Sequence, residues 1–150
     1  MGSLLYQQAN IEIGWDDRGW LYVDWIGLQS VDKVHAGGEQ ILRLLRVKNA
    51  EAVLNDNTRL EGVWLGAAES GGRAWFEAML RGGLKRFACV DSASRLSQAS
   101  VEDTLRFAPP VVAQVFFTRA EAEAWLVWQA SVAFKRKTGR ITLPPWMTRG

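Results

Sequence analysis

Residues 11–55 read IEIGWDDRGWLYVDWIGLQSVDKVHAGGEQILRLLRVKNAEAVLN, and the periodicities inside this stretch decide the fold. Ile11, Ile13 and Trp15 alternate with polar or small residues, and Asp16-Asp17-Arg18-Gly19 then supplies turn formers ending in a glycine suited to positive φ. The alternation resumes in WLYVDWI, residues 20–26, with Leu21, Val23 and Trp25 on one face and Trp20, Tyr22 and Asp24 on the other. The stretch therefore opens with a β-hairpin whose second strand is aromatic on both faces, so at least one face must be covered. Val34, Ile41, Leu42 and Leu45 follow at helical spacing behind Ser30, a good N-cap, and the helix is expected to end near Asn49. Gly37 and Gly38 interrupt it at about 1 kcal/mol each relative to alanine, which reads as close packing against a neighbour. AVLN, residues 52–55, is a short buried strand ahead of the polar group Asp56-Asn57-Thr58.

The same alternation of strand and helix continues outward. Ala68, Trp75, Met79 and Leu80 predict a helix over 64–81, closed by Gly82-Gly83 as a C-cap signal. RFACV, residues 86–90, is a strand carrying Cys89. Ser100-Val101-Glu102-Asp103 opens a short helix to Phe107, and Pro109-Pro110 stops it. Residues 111–117 form the last strand, and Thr118-Arg119-Ala120-Glu121 is a full capping box before a helix to about Phe134. The order β-β-α-β-α-β-α-β-α implies a mixed, mostly parallel sheet flanked by helices. Residues 1–134 form the domain. Residues 135–150 are a basic, proline-containing tail, extended at Leu143-Pro144-Pro145-Trp146.

Bulk composition limits the classes of function. A chain of 150 residues, 48% hydrophobic and 23% charged, closes around one core and is not disordered, collagen-like or coiled-coil. Eight tryptophans stand beside one histidine and one cysteine, a ratio that speaks against most enzymes. Cys89 alone makes no intramolecular disulfide, the first fifteen residues have neither a basic n-region nor a sustained apolar run, and no stretch approaches the ~20 apolar residues of a membrane span. A cytoplasmic protein without a membrane span is expected. All 16 acidic and 13 basic residues precede position 124, whereas Lys135, Arg136, Lys137, Arg140 and Arg149 follow it without an acid. So short a cluster reads as a solvated end rather than a nucleic-acid site, which needs a larger basic face interleaved with aromatic readers.

Constellations that carry chemistry are scarce. His35 and Glu39 have the i, i+4 spacing of a metal pair but no second histidine or third ligand, so a helix-surface histidine is expected and no metal. Cys89, between Ala88 and Val90, reads as a core residue, and the glycine pairs match no nucleotide-binding pattern. Glu12 and Asp24 face each other across the hairpin without the spacing of an acid–base pair. Neither a catalytic residue nor a cofactor is expected. The most suggestive polar group is Asn55-Asp56-Asn57-Thr58, placed at the carboxyl end of a strand, where α/β sheets gather their ligands; an Asx turn from strand to helix would use the same residues. Ser92 and Ser94, in the loop after the next strand, lie at the same end if the two strands are parallel.

The run from Val53 to Trp64 (VLNDNT, then G-V-W), the helix with Trp75, GGLKRFACV at 82–90, LSQAS at 96–100 and AEAEAWL at 120–126 together resemble the STAS/SEC14-like, or SpoIIAA-like, family of small bacterial proteins. The resemblance covers roughly residues 6–128. It implies an α/β, STAS-like fold: an N-terminal β-hairpin joined to a four- or five-stranded sheet, with about four helices mainly on one face. It also implies a non-catalytic module that binds a protein partner. In the antagonists of this family a serine or threonine after the third strand is phosphorylated, which places charge on the contact surface. The corresponding region here is Asn55–Thr58, lacks the Asp-Ser-Ser-Gly pattern, and offers only Thr58 for that role.

Two functions compete on these grounds. The first is a non-enzymatic interaction or regulatory module, contacting a protein through Asn55, Asp56, Asn57, Thr58, Trp64, Ser92 and Ser94, or forming a homodimer through the sheet face on which Trp20 and Tyr22 would otherwise be exposed. The second is a binder of a small apolar or lipid-like molecule in a pocket lined by Trp64, Trp75, Trp125 and Trp128.

Overall fold

The computed structural model describes residues 2–61, 72–90 and 112–139. Six strands form one sheet in sequential order: β1 (Gly2–Gln8), β2 (Ile11–Asp16), β3 (Trp20–Leu28), β4 (Ala52–Glu61), β5 (Arg86–Val90) and β6 (Ala113–Phe116). β1, β2 and β3 are an antiparallel meander, and β3 to β6 run parallel. The helices are α1 (Val31–Lys48), α2 (Arg73–Arg81) and α3 (Arg119–Lys137).

Local chemistry explains the boundaries. The β2–β3 turn closes with Gly19 at φ 109°, its N–H donating to the Asp16 carbonyl at 2.9 Å. Ser30 caps α1 by accepting from the Lys33 N–H, and Asn49 ends it in the left-handed region at φ 53°. Thr118 caps α3 by accepting from the Glu121 N–H at 3.2 Å.

The sheet separates two cores. On one face α1 and α2 bury Ile41, Leu44, Leu45, Phe76 and Met79 against Ile11, Ile13, Leu21, Val23, Trp25, Val53 and Phe87. Gly37 and Gly38 do mark close packing. A Cβ on Gly37 would lie 2.5 Å from the Trp25 ring, and the Gly38 carbonyl accepts from Trp75 Nε1 at 2.8 Å. On the other face α3 lays Ala122 and Leu126 over Trp20, Ala52, Leu54, Ala88 and Val90.

Three expectations are corrected. The sheet has six strands rather than four or five, because GSLLYQQ adds an edge strand whose mostly exposed side chains leave no alternating signal. The helices are not among these corrections: α1 and α2 share one face and α3 takes the other, and the helix expected near 100–107 lies outside the described residues. Lys135, Arg136 and Lys137 are not tail but the last turn of α3, where cations complement the helix dipole. Asn55–Thr58 is not a loop, since β4 runs through it to Glu61. No described helix is long and apolar enough to cross a membrane.

Candidate functional site

The polar run in β4 stays in the sheet because each of its side chains has a partner. Asn55 Oδ1 accepts from Trp25 Nε1 at 2.8 Å, and Asn55 Nδ2 donates to Asn57 Oδ1 at 3.3 Å. Asn57 Nδ2 donates to Cys89 Sγ at 3.4 Å. Asn55, Asp56, Asn57 and Cys89 are all buried. Satisfied polar groups of this kind tolerate burial that bare ones would not. Cys89 is therefore a core residue with an amide environment.

A bulge then re-aims the strand. Asp24 pairs with Asp56 but Ile26 pairs with Arg59, so β4 carries one extra residue. Without it Arg59 would point at the apolar core; with it Arg59 joins Asp56 on the α3 face and Leu60 turns inward to the α1–α2 core. Thr58, in the bulge, donates from both its N–H (2.8 Å) and its Oγ1 (2.7 Å) to Asp56 Oδ1, and is exposed.

These residues build a charged patch at the N-terminus of α3. Arg119 Nη1 lies 2.9 Å from Asp24 Oδ1 and 3.2 Å from Asp56 Oδ2, and its guanidinium sits 5.4 Å from the Tyr22 ring centre. Arg59 reaches Asp24 at 3.7 Å and Glu12 at 3.5 Å. Glu12 and Asp24 are cross-strand partners, as the hairpin register implied. Burial pushes the Asp24 carboxyl above its ordinary value, and the neighbouring Asp56 pushes the same way, against Arg119 and Arg59. Burial opposes the charge of Arg119, but the Asp24 and Asp56 carboxylates outweigh it and raise the guanidinium. Burial likewise raises the Tyr22 hydroxyl. The patch works as a clamp: one cation bridges two strands and fixes where α3 begins.

Beyond the clamp the outer side of α3 is apolar. Residues 124–134, AWLVWQASVAF, contain no charge, yet only one side of the helix meets the sheet. Trp128 is 60% exposed, Phe134 58% and Val127 44%, and Phe117, just before the helix, is 79% exposed.

Of the residues singled out from sequence, Tyr22 and Asp56 come together at the clamp with Thr58 above them, and Asn55 and Asn57 point to the opposite face. Trp20 is not exposed: α3 covers it to 2% exposure, so the premise for pairing through that face is overturned. Tyr22 is half-buried, under Arg119. Trp75 and Trp125 lie on opposite faces of the sheet and cannot line one pocket. Trp64, Ser92 and Ser94 lie outside the described residues. His35 is half-buried on α1, and no group of three potential metal ligands gathers among the described residues. Arg119 was missed as a site residue. Its only sequence signal was a place inside the Thr118–Glu121 capping box, which fixes a helix start and not what the start touches.

A solved structure from Shewanella loihica PV-4, a DUF3478-family protein with a SpoIIAA-like fold, matches this chain at 22% identity over 83% of it and 99% of that chain, with a TM-score of 0.50. This chain has a SpoIIAA-like fold. The anti-sigma factor antagonist SpoIIAA in its unphosphorylated form matches at 11% identity over 84% of this chain and 97% of its own, with a TM-score of 0.47. No family model and no curated protein matches the sequence. The likeness extends to the α/β architecture and leaves the clamp and the apolar side of α3 to be read from their own chemistry.

Proposed function

We propose that this SpoIIAA-like chain is a non-enzymatic protein-interaction and regulatory module of the cytoplasm, and that its contact surface is the outer side of α3 with the adjoining end of β6. The observation that carries this reading is the set of large apolar side chains held out by that surface: Phe117, Val127, Trp128 and Phe134. A helix apolar all round is normally buried on all sides. Large apolar side chains held exposed on one element are what a protein contact uses. The clamp residues, by contrast, are paired with one another and support a structural role.

Thr58 supplies the regulatory half of the reading. It is the exposed member of the Asn55–Thr58 group, and a phosphoryl group on its Oγ1 would replace the bond to Asp56 with like-charge repulsion beside Arg119. That change would loosen the start of the contact helix.

Affinity capture from the native cell tests the reading, with Trp128→Asp and Phe117→Asp beside Val47→Asp, an equally apolar exposed position on α1. A specific protein held by the wild type and by Val47→Asp but lost with both other variants supports it. Equal capture by all four proteins sinks it.

A further inference from the structure

The exposed row of α3 carries its own complement. Glu121, Ala124, Trp128, Ser131 and Lys135 fall at steps of three and four along the helix, so they share one stripe. All five are exposed. Trp128 stands at the middle, with an acid seven residues before it and a base seven residues after it, each about 10.5 Å away along the axis. Ala124 and Ser131, one turn to either side, are small.

We infer that this stripe pairs with the same stripe of a second copy of the chain, antiparallel, about a two-fold axis at Trp128. The inference rests on the reading of α3 as the contact surface and names its occupant. A two-fold contact requires a surface that complements itself under reversal. Reversing this stripe places Glu121 against the second copy's Lys135, and Lys135 against its Glu121. The two Trp128 indoles meet at the centre, over the gaps left by Ala124 and Ser131. A parallel pairing would set Lys135 against Lys135 and leave Glu121 facing Glu121, so the charges select the antiparallel arrangement. Val127 and Phe134, on the adjacent row, widen the apolar contact on one flank. The basic last turn of α3 also gains an acidic neighbour that its own chain does not provide after residue 123.

Sedimentation equilibrium of the full chain over a concentration series is the test. The wild type is expected to dimerise reversibly, and Trp128→Ala to weaken dimerisation by at least about tenfold, since a central tryptophan is truncated in both copies. Glu121→Lys and Lys135→Glu should each weaken it alone, because each sets like charges together twice. Mixing these two variants in equal amounts should restore dimers, because every contact then joins opposite charges again. Restoration on mixing also shows that neither variant is merely misfolded, which matters for Glu121 because it belongs to the α3 capping box. A wild type that stays monomeric at high micromolar concentration overturns the pairing, as does a mixture no more dimeric than its parts. If the monomeric wild type captures a different protein and Trp128→Ala loses it, the pairing falls and the proposed function stands. If Trp128→Ala changes neither dimerisation nor capture, both fall.

Discussion

The face of the sheet under α1 and α2 is closed by a larger apolar core of interlocking aromatic rings, whereas the face under α3 combines a smaller apolar core around Trp20 and Leu126 with a cluster of charges. On the first, Phe76 meets Phe87 edge to face at 5.3 Å and Trp75 at 5.0 Å, and the polar atoms that enter, those of Asn55 and Asn57, are hydrogen-bonded. On the second, Ala52, Ala88 and Ala122 bring α3 near the strands, and Arg119 fastens its first turn to Asp24 and Asp56. The first face stores stability, and the second positions a helix whose outer side remains apolar. Phe76→Ala tests the first statement most strongly. It should cost about 3–5 kcal/mol in urea unfolding, because a fully buried ring leaves a cavity between two helices and the sheet. A cost near 1 kcal/mol would mean that α2 is only loosely held.

Removing the clamp is the matching test of the second face. Arg119→Ala leaves two carboxylates facing each other without their shared cation, and the partial exposure of Arg119 discounts the loss to about 1–3 kcal/mol. Hydrogen exchange should localise the effect to the first turns of α3 and spare α1. Uniform loss across both helices would show that the faces are not separable. Gly37→Ala should cost less, about 1 kcal/mol net. The added methyl must displace Trp25 and Ile11 Cδ1, while alanine recovers helix propensity. Gly37→Ala with Trp25→Phe should cost less than the sum of the two single changes if the ring is what the methyl meets.

How far the sequence disclosed this arrangement depended on whether a signal was local. The hairpin, the Ser30 and Thr118 caps, the Asn49 stop and the Gly37-Gly38 contact follow from short-range rules, and the structure has them all. The Asn55–Thr58 group misled for a physical reason. Asparagine and aspartate usually leave strands, and only partners distant in sequence, Trp25, Cys89 and Arg119, keep these inside one. Trp20 misled likewise: alternation shows that it lies opposite Leu21 but not that a helix ninety-nine residues later covers it, from Arg119 onward. The bulge that turns Arg59 onto the α3 face is visible only in register. The apolar, uncharged run 124–134 was legible throughout as helix, but which side it would leave uncovered was not.

The smallest expected effect separates the two ends of the α3 face by the sign of their pH dependence. Asp24 is raised in the folded protein by burial, so its charge disfavours folding: that penalty is absent at acid pH, grows as pH rises through the unfolded and then the folded value, and is constant above. Asp16 is lowered, chiefly by its hydrogen bond with Arg18, so its contribution is present above the unfolded value and is lost as pH falls through the folded one. The stability of Asp24→Asn relative to wild type should therefore increase from acid to neutral pH, and that of Asp16→Asn should decrease. Paired chemical denaturation curves at several pH values read both slopes. If the two variants slope the same way, Asp24 is held by its arginines more than it is penalised by burial, and the clamp stabilises the fold outright instead of spending stability to place α3.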